Sequence, residues 1–225
     1  MSNAIISSLL ATVPGIAHGF GTATELIPRP LHSNWSARPE KTQVHSAKIR
    51  RITRFRESCG SADGFISSMA GIPIYVAHAD CIPILLARRD GGMVAALHGG
   101  WRSIFAGIVQ SFGSRLESTG ETPSQWVAAI GPGISPCCYE VAEDLCAHFE
   151  QQFPHIPATV IQPAFRRLDL ASIVNWELQR LGIGTTQGIA NCTYCNRNDD
   201  LTYRFRSYRR GDRGSNQNSG LMITG

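Results

Sequence analysis

Apolar positions along this chain fall into short continuous runs and longer periodic ones. Residues 72–77 and 82–87 are continuous, the form of strands buried on both faces. Between the second run and residues 93–97 lies Arg88-Arg89-Asp90-Gly91-Gly92, a turn whose Asp-Gly step is a strong hairpin signal. Residues 93–97 are then the returning strand. The period changes after that. Ile104, Phe105, Ile108, Val109, Phe112 and Leu116 recur at threes and fours, which predicts one helical face with Ser103 as its cap. Residues 126–130 predict a strand running into the Gly131-Pro132-Gly133 turn. Val141, Leu145, Phe149 and Phe153 predict a second helix that stops at Pro154. A third opens at Asp169, turns Leu170, Ile173, Val174 and Leu181 inward, and ends at Gly182. Residues 188–192 suggest a further strand, and residues 22–42, rich in Pro, Ser and Arg, read as loop. Strands and helices mix without regular alternation. The predicted class is therefore α+β with mixed sheets, not a doubly wound Rossmann-type fold.

Composition narrows this picture. A chain of 225 residues makes one large domain or two small ones. Charged residues are 17% and hydrophobic ones 43%, enough for a large core without disulfides. Disorder, collagen-like repeats and a stapled mini-protein are excluded. A net charge of +4 is only mildly basic, so no nucleic-acid partner is expected. No apolar run reaches the roughly 18 residues of a membrane span, so no membrane association is expected. The apolar run over residues 4–13 has no leading Lys or Arg and is cut by Pro14, which argues against a signal peptide. Seven cysteines, an odd number, fit a reducing cytoplasm with free thiols or a metal site. The one dense basic segment, residues 204–213, reads either as a solvated loop or as an anion site.

Three side chains suggest chemistry. His45 lies in Gln43-Val44-His45-Ser46. Cys81 precedes one strand of the predicted hairpin, and His98 follows the other, ahead of Gly99-Gly100-Trp101-Arg102. Antiparallel pairing would bring Cys81 and His98 side by side. The pair reads as a nucleophile with its general base. It reads equally as two of three zinc ligands around an open fourth position. It also reads as a small buried thiol beside a hydrogen-bonded histidine. His78, inside an apolar run, reads as a core histidine. Cys192-Thr193-Tyr194-Cys195 is a lone C-x-x-C and reads as structural. The adjacent Cys137 and Cys138, poorly placed to share one metal, read as packing.

Several blocks in order carry a resemblance. They are Pro14-Gly15-Ile16-Ala17-His18-Gly19-Phe20, Gln43-Val44-His45, Ala62-Asp63-Gly64, Ala79-Asp80-Cys81-Ile82-Pro83 and His98-Gly99-Gly100-Trp101-Arg102. Ile130-Gly131-Pro132-Gly133-Ile134, Cys138-Tyr139-Glu140-Val141, Cys192-Thr193-Tyr194 and Ser207-Tyr208-Arg209-Arg210 follow. Together they resemble the laccase-domain family, also called multicopper polyphenol oxidase-like, whose members include purine nucleoside phosphorylases and a peptidoglycan editing factor. The resemblance implies a single domain over residues 1–225 in α/β/β/α layers. It implies zinc, with copper as the alternative, held by His45, Cys81 and His98. It implies a purine nucleoside and phosphate as small-molecule partners, with phosphorolysis of adenosine, inosine and methylthioadenosine and deamination of adenosine. Phenol oxidation is disfavoured on chemical grounds: multicopper centres need His-x-His pairs, and none occurs among the seven histidines.

A three-ligand zinc ion brings the pKa of its water to about 7, which suits attack at a purine C6. Phosphorolysis needs an anion held against the sugar, and arginine forks do this. Arg102, Arg209 and Arg210, with Ser207, are the expected substrate-binding residues. Amides around Gly131-Pro132-Gly133 could add an anion nest. Asp80 is a candidate ligand orienter or general acid or base, or alternatively a turn-capping carboxylate. The expected catalytic set is Asp80, Cys81, His98 and Arg102. Ser46 and Ala23 stand where the family has Gly and Arg, and residues 214–220 replace its C-terminal signature. These departures fall on the substrate-holding shell and leave the three metal ligands in place. Two other functions compete: a cysteine hydrolase acting on an amide or peptidoglycan precursor through Cys81 and His98, and a catalytically degenerate binding module. A cytoplasmic monomer or weak homodimer is expected.

Overall fold

The computed structural model describes residues 5–225; position 4, where the first apolar run begins, lies outside the described residues. The strands in chain order are β1 (Ile16–Phe20), β2 (Glu40–Thr42), β3 (Ile49–Ile52), β4 (Ser58–Ser61), β5 (Gly64–Ser67), β6 (Ile74–His78), β7 (Ile82–Arg88), β8 (Val94–Gly99), β9 (Trp126–Ile130), β10 (Thr185–Gly188) and β11 (Gln217–Ile223). The α-helices are α1 (Trp101–Phe105), α2 (Ile108–Ser118), α3 (Glu143–Gln152), α4 (Ala158–Ile161) and α5 (Leu170–Arg180).

The continuous apolar runs have a simple cause. Side chains alternate across a strand, and β7 is covered on both sides. Ile82, Ile84 and Leu86 face one core, while Leu85 and Ala87 face another. β8 divides likewise, with Ala95 and Leu97 on the first side and Val94 and Ala96 on the second. The first core packs this sheet against Phe112 and Leu116 of α2, Phe149 of α3 and Ile173 and Val174 of α5. The second packs it against Phe20, Ile74, Val76 and Leu221 of a smaller sheet. The large sheet has the order β10-β9-β7-β8-β5-β3 and the small one β1-β11-β6; β2 and β4 form a separate pair. β7 is antiparallel to β8 and β9, whereas β10–β9 and β3–β5 are parallel, so the sheet is mixed.

The outer face of the small sheet meets a 3₁₀ helix, Arg29–Ala37, where the sequence pattern suggests a loop. Leu31 is buried and the Trp35 ring lies 4.7 Å from that of Tyr75 on β6. This segment completes the α/β/β/α layering. Other differences are local. The helix expected after residue 103 is two helices, broken at Gly107, whose φ of +81° is a left-handed conformation that suits glycine. Ser103 is buried inside α1 and is not its cap; Gly100 holds that position. The strand suggested at 188–192 runs instead over Thr185–Gly188, and Cys192 makes only an isolated bridge to Gly133. β11 and the single-turn α4 carry no clear pattern in the sequence. Asp169 caps α5 as expected, accepting from the Ser172 amide at 3.0 Å. His78 is buried on β6 beside Ser219 Oγ at 2.7 Å. Burial pushes its pKa down to about 3, as befits a neutral core histidine. Among the described residues no helix is long and apolar enough to cross a membrane.

Candidate metal centre

The ends of the central hairpin create the site. Pairing sets Pro83 opposite His98 and Ile82 opposite Gly99. Cys81 therefore stands two residues before His98's partner, on the same face of the sheet. His45 arrives from the loop between β2 and β3 with a left-handed φ of +59°. The ligand atoms of His45, Cys81 and His98 all lie within 4.8 Å of one another. Cys81 Sγ is 3.8 Å from His45 Nε2, and the two imidazole rings are 4.9 Å apart. His98 is buried, Cys81 half-buried and His45 exposed, so the cluster opens on one side. Two imidazoles and a thiol are a borderline-soft donor set that fits zinc, and three protein ligands with an open side are the pattern of a catalytic ion.

Asp63 organises this cluster. It is fully buried. Its carboxylate accepts from His98 Nδ1 at 2.9 Å and from the amides of Val44, His45 and Ser46 at 3.2, 3.0 and 2.7 Å. Ser46 Oγ adds a fifth bond at 2.8 Å. An ionised carboxylate only accepts, so His98 Nδ1 carries the hydrogen and Nε2 keeps its lone pair for the site. Burial alone would raise the Asp63 pKa. The bonds from His98 and Ser46 outweigh it and hold the carboxyl well below the usual range. Ser46, a departure from the family pattern, thus contributes a donor that glycine lacks. In the sequence Asp63 is marked only by its place before Gly64, which opens β5, and nothing in that context assigns it a role.

Burial also pushes the Cys81 thiol up to about 12, with the Asp80 and Asp63 charges adding to the shift. A bare thiol here is protonated at neutral pH, and a coordinated cation is what reverses that preference. Gly100 leaves room for the cluster. A methyl group on it would lie 2.7 Å from His45 Cδ2 and 3.1 Å from Cys81 Sγ. Its φ of −70° is ordinary for any residue. Gly100→Ala is therefore expected to displace His45 and weaken any metal binding at the cluster about 10- to 100-fold, the range seen for outer-shell changes. Stability measured in chelator should stay within about 1 kcal/mol of wild type. An unchanged affinity in a chromophoric-chelator competition would refute this.

Asp80 sits at the elbow before β7, buried, with a φ of +87°. One oxygen accepts from Thr193 Oγ1 at 2.6 Å; the other accepts from Ser207 Oγ at 3.0 Å and the Arg209 amide at 2.7 Å. This carboxylate ties two segments, the turn at Thr193 and the turn at residues 207–209, to the elbow that precedes Cys81. Ser207 is buried within that frame. Arg210 is engaged too: its guanidinium bonds the carbonyls of Thr193, Tyr194 and Phe205 and the Asp212 carboxylate, and stacks 3.7 Å from the Tyr203 ring centroid. The geometry thus gives Ser207 and Arg210 a scaffolding place, in contrast to the substrate-binding one the sequence suggests. Arg102 and Arg209 differ. Arg102 is exposed over the Trp101 ring, and Arg209 lies over the Tyr139 ring while bonding the Glu140 carbonyl. Tyr139 is buried and senses Cys81, Arg209 and Arg102; burial pushes its phenol up to about 12. The nest expected at Gly131-Pro132-Gly133 is depleted, since Pro132 has no N–H and the Gly131 amide donates to the Pro83 carbonyl.

A second group converges nearby. The sulfurs of Cys137, Cys138, Cys192 and Cys195 lie within 4.8 Å of one another, although the sequence reads them as packing and as a lone motif.

The chain is 31% identical over 197 residues to purine nucleoside phosphorylase PA4543 of Pseudomonas aeruginosa, covering 85% of this chain and 76% of that one. It is 29% identical over 163 residues to purine nucleoside phosphorylase YfiH of Shigella flexneri, covering 72% of this chain and 66% of that protein, just under two thirds of its length. Its fold matches the crystal structure of YlmD from Geobacillus stearothermophilus over the whole of both chains, with a TM-score of 0.79 and 20% identity. The family model for the multi-copper polyphenol oxidoreductase laccase matches residues 29–224, and the chain belongs to that family.

Proposed function

We propose that this protein is a zinc-dependent purine nucleoside phosphorylase with its ion on His45, Cys81 and His98. The observation that carries the reading is the convergence of these three donor groups beside Tyr139 and two arginines. The relatives' names support the substrate class. A bound zinc supplies Lewis acidity that stabilises negative charge developing on the reactants. Arg102 and Arg209 hold the phosphate through charge-assisted bonds. A phosphate oxygen attacks the sugar C1′ as the bond from C1′ to the purine nitrogen breaks. The base leaves with the bonding pair and takes up the proton that the attacking hydrogen phosphate gives up, so that neutral base and the sugar phosphate dianion result. Tyr139, protonated throughout the neutral range, donates a hydrogen bond toward the bound anion. Asp63 fixes the His98 tautomer, and Asp80 positions Arg209 through its amide.

The competing nucleophilic reading of Cys81 asks for a lowered thiol pKa, and burial moves it the other way. Iodoacetamide separates the two: a nucleophile is labelled at once, whereas a zinc thiolate waits for chelator. With all seven cysteines free, we assign the protein to the reducing cytoplasm.

The test is turnover by metal-replete protein of adenosine, inosine and methylthioadenosine, with and without phosphate, followed by chromatography of the free base. Phosphate-dependent base release is expected. Its absence from all three would overturn the reading and favour a binding module. Ammonia release from adenosine without phosphate tests deamination separately. Arg102→Ala should keep its zinc and raise the phosphate KM about 10- to 100-fold, the equivalent of a lost charge-assisted bond. Loss of metal in that variant would contradict its role.

A further inference from the structure

We propose that Cys137, Cys138, Cys192 and Cys195 bind a second zinc ion, a closed structural one distinct from the His45–Cys81–His98 centre. The separations support a single tetrahedral ion. Metal–sulfur bonds of about 2.3 Å place the sulfurs of a tetrahedral zinc about 3.8 Å apart. Cys137 Sγ and Cys195 Sγ are 3.8 Å apart, and all four sulfurs fit within 4.8 Å. A disulfide would need about 2.05 Å, and all seven cysteines are free. An iron–sulfur cubane would put each thiolate on a different iron and spread the four more widely than one ion does.

The backbone prepares this arrangement from two turns. Cys137 and Cys138 lie in a turn where the Cys138 and Tyr139 amides both donate to the Ser135 carbonyl, at 2.9 and 2.8 Å. That curl brings two adjacent side chains to one centre, which an extended strand could not do. Cys192 and Cys195 bracket the second turn, closed by the Asn196 amide on the Cys192 carbonyl at 3.0 Å. The turns are stitched together by the Thr193 amide on the Gly133 carbonyl at 3.0 Å and the Ser135 amide on Cys192 Sγ at 3.5 Å. The Arg167 guanidinium reaches the Cys137 carbonyl at 3.5 Å, and that of Arg210 the Tyr194 carbonyl at 2.7 Å. These bonds tie the two cysteine turns to neighbouring segments, while the guanidiniums themselves pair with Glu140 and Asp212. Cys137 and Cys195 are exposed, which gives the ion a route in, and four protein ligands leave it no vacant position.

The site has a structural consequence. Both turns are anchored to Asp80: the Ile134 amide donates to its carbonyl at 2.8 Å, and Thr193 Oγ1 to its carboxylate at 2.6 Å. An ion joining the turns would clamp the residue that precedes Cys81. It would take no part in substrate binding.

Metal analysis of the purified protein, with native mass spectrometry, tests the proposal. Two zinc ions per chain are expected in the wild type, and one in each of Cys195→Ser and Cys81→Ala. One ion that survives Cys195→Ser but is lost in Cys81→Ala overturns this second site and leaves the first. One ion that survives Cys81→Ala but is lost in Cys195→Ser overturns the first and upholds this one. A measurement on the unmodified protein guards against variants that misfold. In metal-replete wild type, iodoacetamide with peptide mapping should leave Cys137 and Cys195 unlabelled despite their exposure, until a chelator releases the ion. Prompt labelling of both before chelation would overturn the proposal.

Discussion

Asp63→Ala is expected to destabilise the fold by about 3 kcal/mol or more and to weaken the proposed metal binding at the histidine–cysteine centre at least about tenfold. Five donors lose their acceptor at once: His98 Nδ1, the amides of Val44, His45 and Ser46, and Ser46 Oγ. Each buried donor left unpaired costs about 1–3 kcal/mol, less where water can enter. The affinity loss follows because His98 loses the partner that fixes its tautomer and His45 loses the anchor of its loop. Urea unfolding in chelator and a chelator competition measure the two effects. The pH dependence has a definite sign. The folded carboxyl titrates below its unfolded value of about 3.9, so its stabilisation is complete above about pH 5 and is lost as pH falls toward the folded pKa. The gap between wild type and Asp63→Ala should therefore be smaller at pH 3 than at pH 7. A gap that does not narrow in acid would show that the carboxylate's charge is not what holds the loop.

Cys81→Ala is expected to remove the ion from the first centre and cut phosphate-dependent base release about 100-fold or more. A Lewis acid contributes several kcal/mol to the stabilisation of developing charge, and each 1.36 kcal/mol is about tenfold in rate. The fold should survive, because the side chain is small and half-buried. Stability in chelator is predicted to stay within about 1 kcal/mol of wild type. Metal content, base release and the urea midpoint are read on one preparation. Full turnover without the ion would remove the centre from the chemistry.

The hairpin was legible because both its faces are covered, which turns β7 and the following strand into unbroken apolar runs. Where pattern and structure part, a tertiary contact decides. Phe105 and Ile108 keep the helical period across the break at Gly107, so periodicity alone hides it. β11 begins Gln217-Asn218-Ser219-Gly220, a polar opening whose burial comes from distant segments: β6 beside it, and Arg206, whose backbone N–H and carbonyl bond the Gln217 side chain. The hairpin ends and the family resemblance together pointed to His45, Cys81 and His98, whose donor atoms the fold brings within 4.8 Å of one another. Asp63 could not, since its role lies in three amides that converge only after the loop has folded. Nor does a guanidinium's charge reveal its partners: Arg209 and Arg210 are neighbours, yet Arg210 is turned onto four groups of its own chain. Adjacent cysteines likewise look unsuited to one centre until the turn that carries them is seen.

The order β1-β11-β6 has a bearing on biosynthesis. The strand between β1 and β6 is the last of the three to leave the ribosome. Until residues 217–223 emerge, the two earlier strands have open edges and no partner between them, a form prone to pairing with neighbouring chains. Contacts between strands about 200 residues apart also make for slow closure. Nascent chains halted shortly before residue 217 should therefore depend more on chaperones than the finished protein does.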